Sequence, residues 1–134
     1  MPGIIVDSNI ILDLFLEDPV WADWSESQLN KLGTEDNLYI NQIIYSEVSI
    51  GFKRIEELEK AVSGCGFRIL QIPKEALFLA GKVFIQYRKR NGKKLYPLPD
   101  FFIGAHAAVS KFSLLTRDIK KYRYYFPTVR LIHP

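Results

Sequence analysis

The chain has 134 residues, 48% of them hydrophobic and 25% charged, which is the size and composition of one globular domain that can fill a core. Its net charge of +3 permits a polyanionic partner without requiring one. The single cysteine, Cys65, excludes an intramolecular disulfide and a cysteine-rich zinc site, and it favours a reducing compartment. No apolar run approaches the roughly 18 residues that cross a bilayer, and the N-terminus resembles a buried strand rather than a signal peptide. We therefore expect a soluble, cytoplasmic protein with one domain over residues 1–134.

The predicted elements alternate between short apolar strands and helices. Strands are predicted at residues 3–6, 38–40, 67–72, 113–116 and 128–132. Helices are predicted at residues 10–15, 20–32, 43–51, 55–62, 74–90 and 100–111, with a short helical turn at residues 120–122. This alternation indicates an α/β domain with a mostly parallel sheet.

Four acidic residues lie where the strands end or where a following helix begins. Asp7 directly follows the first predicted strand, and Asp118 lies two residues past the fourth. Glu47 is one turn into the helix after the second strand, and Asp100 starts the helix before the fourth. Parallel sheets bind ligands at the carboxyl ends of their strands, so the four acids could converge on one crevice. Each also has a purely structural interpretation: a helix N-cap for Asp7 and Asp100, a turn former for Asp118, and a solvated helix face for Glu47.

A cluster of carboxylates has a definite chemical consequence. The charges repel one another, so such a cluster persists where cations neutralise it, and at least one acid should have a raised pKa in the metal-free protein. Hard oxygen ligands favour Mg²⁺ or Mn²⁺, which activate water and stabilise the leaving oxygen in phosphodiester hydrolysis. The two histidines are poor candidates for a general base: His106 lies about 240° round its helix from Asp100, and His133 is the penultimate residue. The pattern therefore favours metal-activated water.

The segments around the four acids resemble the acidic motifs of PIN-domain nucleases. They are Val6–Ile10, Tyr45–Val48, Leu98–Ala107 and Leu115–Asp118. Within that family the chain most resembles the VapC-type toxins of prokaryotic toxin–antitoxin pairs. The resemblance extends from residue 4 to about residue 132, with all four motifs in order.

This resemblance implies a Rossmann-like, three-layer α/β/α domain with a central, mostly parallel sheet of about five short strands. It also implies Mg²⁺- or Mn²⁺-dependent endoribonuclease activity on RNA, a homodimer, and a small antitoxin protein as partner. Asp7 and Asp100 would be the principal metal ligands, while Glu47 and Asp118 would complete the site directly or through waters. Behind the acids, Ser8 or Asn9 would orient water or ligand together with Thr116.

Two basic stretches flank the predicted site. Residues 88–94 carry five cations and form either a solvated helix end or a phosphate-binding rim, with Tyr87 and Tyr96 as stacking surfaces. Residues 120–125, a run of Lys, Arg and Tyr, either grip RNA or cover a core edge. Arg117 either contacts the scissile phosphate or pairs with an active-site acid. The candidate RNA-binding residues are Arg88, Lys89, Arg90, Lys93, Lys94 and Arg117.

Other functions fit parts of the pattern. A receiver domain needs paired acids after the first strand and a strand-end lysine, and a haloacid-dehalogenase-type phosphatase needs an Asp where this chain has Asn9. Two alternatives stay open within the resemblance. One is a non-catalytic PIN-like module that binds RNA or a protein, and the other is an RNA-processing or DNA-acting nuclease outside a toxin–antitoxin pair.

Overall fold

A computed structural model describes residues 3–134; Met1 and Pro2, which the predicted domain includes, lie outside the described residues. The strands are β1 (Ile4–Val6), β2 (Leu38–Asn41), β3 (Arg68–Leu70), β4 (Ser113–Leu115) and β5 (Leu131–Ile132). The helices are α1 (Ser8–Phe15), α2 (Ala22–Gly33), α3 (Gln42–Val48), α4 (Ile55–Gly64), α5 (Lys74–Lys89), α6 (Pro99–Ser110) and α7 (Lys120–Tyr125). A 3₁₀ turn, Ser49–Gly51, follows α3. No helix within residues 3–134 is long and apolar enough to cross a lipid bilayer.

The sheet has the strand order β3-β2-β1-β4-β5, and every neighbouring pair is parallel. β1 lies at the centre, where Ile5 pairs with Tyr39 of β2 and with Leu114 of β4. All three residues of β1 are buried because helices cover both faces of the sheet, which explains why an unbroken apolar run forms this strand. The predicted three-layer α/β/α architecture with five strands is confirmed. Since all strands are parallel, their carboxyl ends share one edge.

The predicted elements are all present, but several ends differ. The outer strands are the most shortened: β3 has three residues and β5 has two, because each has a neighbour on one side of the sheet. β4 ends at Leu115, so Thr116 is the first residue beyond the strand and Asp118 is the third. The predicted turn at residues 120–122 is a helix that continues to Tyr125.

The close packing of α7 on α6 depends on Gly104. A Cβ atom at this position would collide with the ring of Phe126, which directly follows α7. Phe126 and Tyr122 are four residues apart, and both are buried on the inner side of α7. Gly104 thus lets α7 approach closely enough for Tyr122 to enter the interior beside the carboxyl ends of the strands.

Candidate active site

Asp7 is the most buried of the four predicted acids, with 3% of its surface exposed. Its backbone N–H donates to the Leu115 carbonyl at 2.9 Å, which fixes the residue between the ends of β1 and β4. Its Oδ1 accepts the Ser8 N–H at 2.8 Å, so Asp7 is also the N-cap of α1. The structural interpretation as a cap is therefore confirmed, but it uses one of the two carboxylate oxygens.

The second carboxylate oxygen of Asp7 is surrounded by neutral donors. Oδ2 accepts the hydroxyl of Thr116 at 2.8 Å, the hydroxyl of Tyr122 at 3.0 Å and the amide of Asn9 at 3.4 Å. Asp7 forms no salt bridge within residues 3–134. Burial, and after it the nearby charge of Asp100, raises the pKa of Asp7 from 3.8 to about 6, against the opposing effect of the hydrogen bonds from Thr116, Ser8 and Tyr122. The expectation that at least one acid has a raised pKa is confirmed, although burial contributes more than repulsion.

Asp100 faces Asp7 across the hydroxyl of Tyr122. That hydroxyl is 3.3 Å from Asp100 Oδ1 as well as 3.0 Å from Asp7 Oδ2, so a single O–H spans two carboxylates from distant parts of the chain. Burial raises the pKa of Asp100, and the charge of Asp118 adds to this effect. Lys121, whose Nζ lies 3.9 Å from Asp100 Oδ2, opposes it.

The Tyr122 hydroxyl and the Asp100 carboxylate are held in place by different features of the fold. Burial and the charges of Asp7 and Asp100 raise the pKa of Tyr122 well above 10, which keeps its hydroxyl protonated as a donor. Asp100 lies in the first turn of α6, but the N-cap is Leu98 and Pro99 occupies the first helical position. The alternative that Asp100 is an N-cap is therefore wrong, because the rigid Pro99 starts the helix one residue earlier.

Glu47 joins the group through Ser8. The Ser8 hydroxyl donates to Glu47 Oε1 at 2.9 Å, and Glu47 is half-buried rather than part of a solvated face. Burial raises the pKa of Glu47, and the charge of Asp100 raises it further. Asn41 caps α3 by accepting two backbone N–H groups, which fixes the start of the helix that carries Glu47. His106 is buried with its Nδ1 3.1 Å from the Asn41 amide nitrogen, and this contact occupies it away from the acids.

Asp118 lies at the exposed border of the group. Its N–H donates to Thr116 Oγ1 at 3.1 Å, so Thr116 connects Asp118 to Asp7. The Asn9 amide is 3.3 Å from the same oxygen, and its own oxygen accepts the Arg117 N–H at 3.2 Å. The three residues predicted to lie behind the acids, Ser8, Asn9 and Thr116, thus all hydrogen-bond to a predicted acid. Asp118 follows a bend at Arg117, and its charge acts on Asp100.

The four acids are near one another but do not form a closed metal cage. Within residues 3–134, no three His, Cys, Asp or Glu side chains are close enough to hold a metal ion by themselves. The donor chemistry nevertheless fits a hard divalent cation: the candidate ligands are carboxylates, and three of them have a raised pKa that a cation would lower. Mg²⁺ commonly keeps several waters and uses one or two carboxylates, which the pair Asp7 and Asp100 can supply.

Arg117 does not point at the predicted acids. Its Nε and Nη2 contact the two carboxylate oxygens of Asp13 at 2.7 and 2.8 Å, and its guanidinium lies 5.1 Å from the ring centroid of Trp21. Asp13 is 4% exposed and also accepts the Ser25 hydroxyl at 2.9 Å. Two of its donor nitrogens, Nε and Nη2, are therefore used in this bidentate pair with a buried acid, and the role of Arg117 in RNA binding stays a prediction.

The basic segment at residues 88–94 is partly used in its own folding. Arg88 donates to the carbonyls of Gly92 and Lys94 at 3.2 Å each, and this closes the loop after α5. Lys89, Lys93 and Lys94 have exposed side chains. The guanidinium of Arg90 lies 4.0 Å from the ring centroid of Tyr124 on α7. Within residues 88–94, Arg90 is therefore the residue that contacts the second basic stretch, residues 120–125.

The two tyrosines predicted to stack bases have different surroundings. Tyr87 is half-buried, with its ring edge-on to the buried Phe101, so it belongs to the core. Tyr96 is 75% exposed and stays available. In the stretch at residues 120–125, Tyr122 and Tyr125 face inward while Tyr124 is exposed. In that stretch, Tyr122 and Tyr125 therefore cover the core, whereas Tyr124 stays available for RNA.

Two buried polar residues near the site, Tyr122 within it and Asp13 beside it, were missed in the sequence. Tyr122 is four residues before Phe126 and is flanked by two cations, a spacing that predicts an inward face. Asp13 is three residues after the buried Ile10, so it falls on the apolar side of α1, where a charged residue needs a partner. Periodicity could have marked both side chains as buried, but it could not have named the residues that they contact.

A family model for the PIN domain matches residues 4–127. The chain belongs to the PIN-domain family. No curated protein sequence matches it. Members of the family are nucleases, and they generally use divalent metal ions.

Several solved structures with the same fold match this chain over nearly its whole length. VapBC2 from Rickettsia felis, bound to a DNA fragment from its promoter, is 18% identical over 98% of both chains with a TM-score of 0.75. A toxin–antitoxin complex from Klebsiella pneumoniae is 22% identical over 98% of both chains, with a TM-score of 0.71. FitAcB from Neisseria gonorrhoeae is 22% identical over 98% of this chain and 97% of that chain, with a TM-score of 0.72. At these identities the likeness establishes the PIN-domain fold.

Proposed function

We propose that this PIN domain is a metal-dependent endoribonuclease that uses Mg²⁺ or Mn²⁺, and that it acts in the cytoplasm as the toxin of a toxin–antitoxin pair. One observation carries the proposal. Asp7 and Asp100, brought together from separate segments, share the Tyr122 hydroxyl at the carboxyl edge of a parallel sheet, and both have a raised pKa. An acid pair of this kind, with Asp7 buried and Asp100 half-buried, is costly for a purely structural role, and a divalent cation relieves that cost.

The residues around the pair have distinct roles in this proposal. Asp7 and Asp100 would hold the ion, and Glu47 and Asp118 would complete the site directly or through waters. A bound Mg²⁺ or Mn²⁺ supplies an activated water and stabilises the leaving oxygen of the phosphodiester. Thr116 and Asn9 fix the orientation of Asp7 through the hydrogen bonds to its Oδ2. Ser8 holds Glu47 in the same way.

The direct test is cleavage of a labelled, single-stranded RNA by the purified protein. We expect cleavage with Mg²⁺ or Mn²⁺, none in excess EDTA, and none by the Asp100→Asn variant, because the amide keeps the shape and loses the charge. Far-UV circular dichroism of the variant controls for folding. Full activity in EDTA or in Asp100→Asn would disprove the metal mechanism. RNA binding without cleavage under every metal condition would instead favour a non-catalytic module.

The proposed partners have their own support. The structures with the same fold include toxin–antitoxin complexes, which supports an antitoxin partner for this chain. For a homodimer, α5 carries three exposed apolar side chains that a second copy could cover: Leu77, Phe78 and Ile85. Sedimentation should show a dimer at micromolar concentration, and induced expression without an antitoxin should stop growth. If the protein is an active nuclease but its expression is harmless, the proposed RNA hydrolysis stands and the toxin role is rejected.

A further inference from the structure

A groove beside the acidic group is formed where the end of α5 meets α7. It has a volume of about 850 Å³. Its lining consists of four basic residues, three tyrosines and one isoleucine: Arg90, Lys120, Lys121, Arg123, Tyr87, Tyr124, Tyr125 and Ile119. No acidic residue lines it within the part of the chain that the structure describes. The groove is therefore positively charged and partly aromatic, next to a group of negatively charged side chains.

Lys121 links the groove to the predicted active site. It lines the groove and also lies 3.9 Å from a carboxylate oxygen of Asp100. A phosphodiester approaching the acids meets several negative charges, so a polyanionic substrate needs cations close by to be held there. Lys120 and Arg123 have exposed side chains on α7 and can meet this need. The basic wall and the acidic group thus complement each other for one polyanionic ligand.

A flat, charged stack is built into the groove. The guanidinium of Arg90 lies over the ring of Tyr124 at 4.0 Å from its centroid, and Tyr124 is 48% exposed. Tyr124 packs edge-on against Tyr125, whose ring in turn packs against the buried Phe101. The stack is therefore supported by the core rather than free to rotate. Guanidinium planes and aromatic rings are the surfaces on which unpaired bases stack.

We propose that this groove binds single-stranded RNA, with an unpaired base on the stack of Arg90 and Tyr124 and the flanking phosphates on Lys120 and Arg123. The inference rests on the proposed function, since it supplies the substrate path to the acidic group. A duplex hides the faces of its bases, so it cannot use the stack. An acidic protein segment could use the cations, but it would gain nothing from a flat stack that accepts base faces.

The test measures binding apart from cleavage. A fluorescein-labelled, 12-nucleotide single-stranded RNA is titrated in EDTA, and anisotropy gives the Kd at several salt concentrations. The groove variant is Arg90→Gln/Lys120→Gln/Arg123→Gln. The control, Lys31→Gln/Lys60→Gln/Arg68→Gln, removes the same charge from exposed residues that do not line the groove.

We expect the groove variant to bind the RNA at least about tenfold more weakly than wild type. The slope of log K against log salt should fall in magnitude by about 1.4, because Lys120 and Arg123 each neutralise one phosphate and each phosphate that is no longer neutralised removes roughly 0.7 from it. The control variant should stay near wild type in both Kd and slope.

A second pair of variants isolates the stack. Tyr124→Phe keeps the ring and should bind as wild type does, whereas Tyr124→Ala should weaken binding roughly five- to 140-fold, the range for removing one stacked base. Duplex RNA of the same length should show no difference between these two variants. Thermal melting checks that each variant is folded, and the triple charge variant tests the groove even if Tyr124→Ala does not fold.

The outcomes separate this inference from the proposed function. Unchanged RNA binding in both the charge variant and Tyr124→Ala overturns the groove, even if wild type cleaves RNA with Mn²⁺. Equal losses of affinity in the groove and control variants overturn it as well, because binding would then follow net charge alone. Groove-dependent binding of polyglutamate in place of RNA would assign the groove to an acidic protein and overturn it. Groove-dependent RNA binding without metal-dependent cleavage would support the groove and refute the hydrolysis.

Discussion

Asp7 and Asp13 are almost equally buried, with 3% and 4% of their surfaces exposed, yet the fold treats them differently. Asp13 has a cation of its own, since Arg117 contacts both of its oxygens and Ser25 donates a third hydrogen bond. The hydrogen bond and the charge of Asp13 raise the pKa of Arg117. Asp7 has neutral donors, and its burial, together with the neighbouring charge of Asp100, raises its pKa to about 6.

The difference shows how a structural acid is distinguished from a functional one. A buried carboxylate with a permanent guanidinium partner is neutralised by the chain itself and locks two elements together. A buried carboxylate without one must take a proton or a cation from solution. Asp13 therefore joins α1 to the loop after β4, whereas Asp7 is left as a place for an added charge.

The largest expected effect is on RNA cleavage. Asp7→Asn should lower the rate at least about a thousandfold, roughly 4 kcal/mol of transition-state free energy, because the carboxylate charge is lost. Asp13→Asn should lower it less than tenfold at a temperature where the variant stays folded, since Asp13 touches no predicted acid. Initial rates with saturating Mn²⁺ measure both. Similar losses of activity in the two variants would mean that the burial of these acids, and not their partners, decides their role.

The second effect is on the pH dependence of stability in EDTA. Asp7 has a pKa of about 6 in the folded state against an ordinary value of 3.8, so the native protein binds more protons between these values. The contribution is fully present below pH 3.8 and is lost as pH rises through 6, which amounts to about 3 kcal/mol. Urea denaturation from pH 4 to 8 measures it, and Asp7→Asn should remove most of this difference. A variant with the wild-type pH profile would contradict it.

A divalent metal ion should neutralise the charge of Asp7, as Arg117 already neutralises that of Asp13. At a concentration one hundred times its Kd, Mn²⁺ should add about 2.7 kcal/mol to the free energy of unfolding. Differential scanning fluorimetry with EDTA or Mn²⁺ should therefore show a rise in melting temperature. The rise should be smaller in Asp100→Asn and undiminished in Asp13→Asn. The absence of a metal response in wild type would leave Asp7 as a cap alone.

Removing the cation from Asp13 should turn it into a second uncompensated acid. Arg117→Met should lower the free energy of unfolding at pH 7 by about 2 kcal/mol, less than for a fully buried pair because Arg117 is 27% exposed. The double variant Asp13→Asn/Arg117→Met should recover at least half of that stability, because no buried charge is left. Urea denaturation of the three proteins measures this cycle. A double variant less stable than Arg117→Met would reject the explanation by charge.

The smallest effect concerns the hydroxyl that spans Asp7 and Asp100. Tyr122→Phe should lower the stability of the metal-free protein by about 1 kcal/mol, the usual contribution of one hydrogen bond. It should increase the stabilisation by Mn²⁺ by a similar amount, because metal then relieves repulsion that the hydroxyl had screened. Tyr125→Phe serves as the control. A loss of stability in Tyr122→Phe that is equal with and without Mn²⁺ would mean that the hydroxyl acts in both states.

The sequence by itself determined the parallel α/β sheet and the positions of Asp7, Glu47, Asp100 and Asp118. Apolar runs and helical spacing are local properties, and the carboxyl ends of parallel strands share one edge. Only the tertiary structure decided that Tyr122 lies between Asp7 and Asp100, that Arg117 belongs to Asp13, and that Arg90 stacks on Tyr124. These partners are far apart in the chain. Periodicity marks which face of an element is buried, but the side chain that it meets depends on how the helices pack across the sheet.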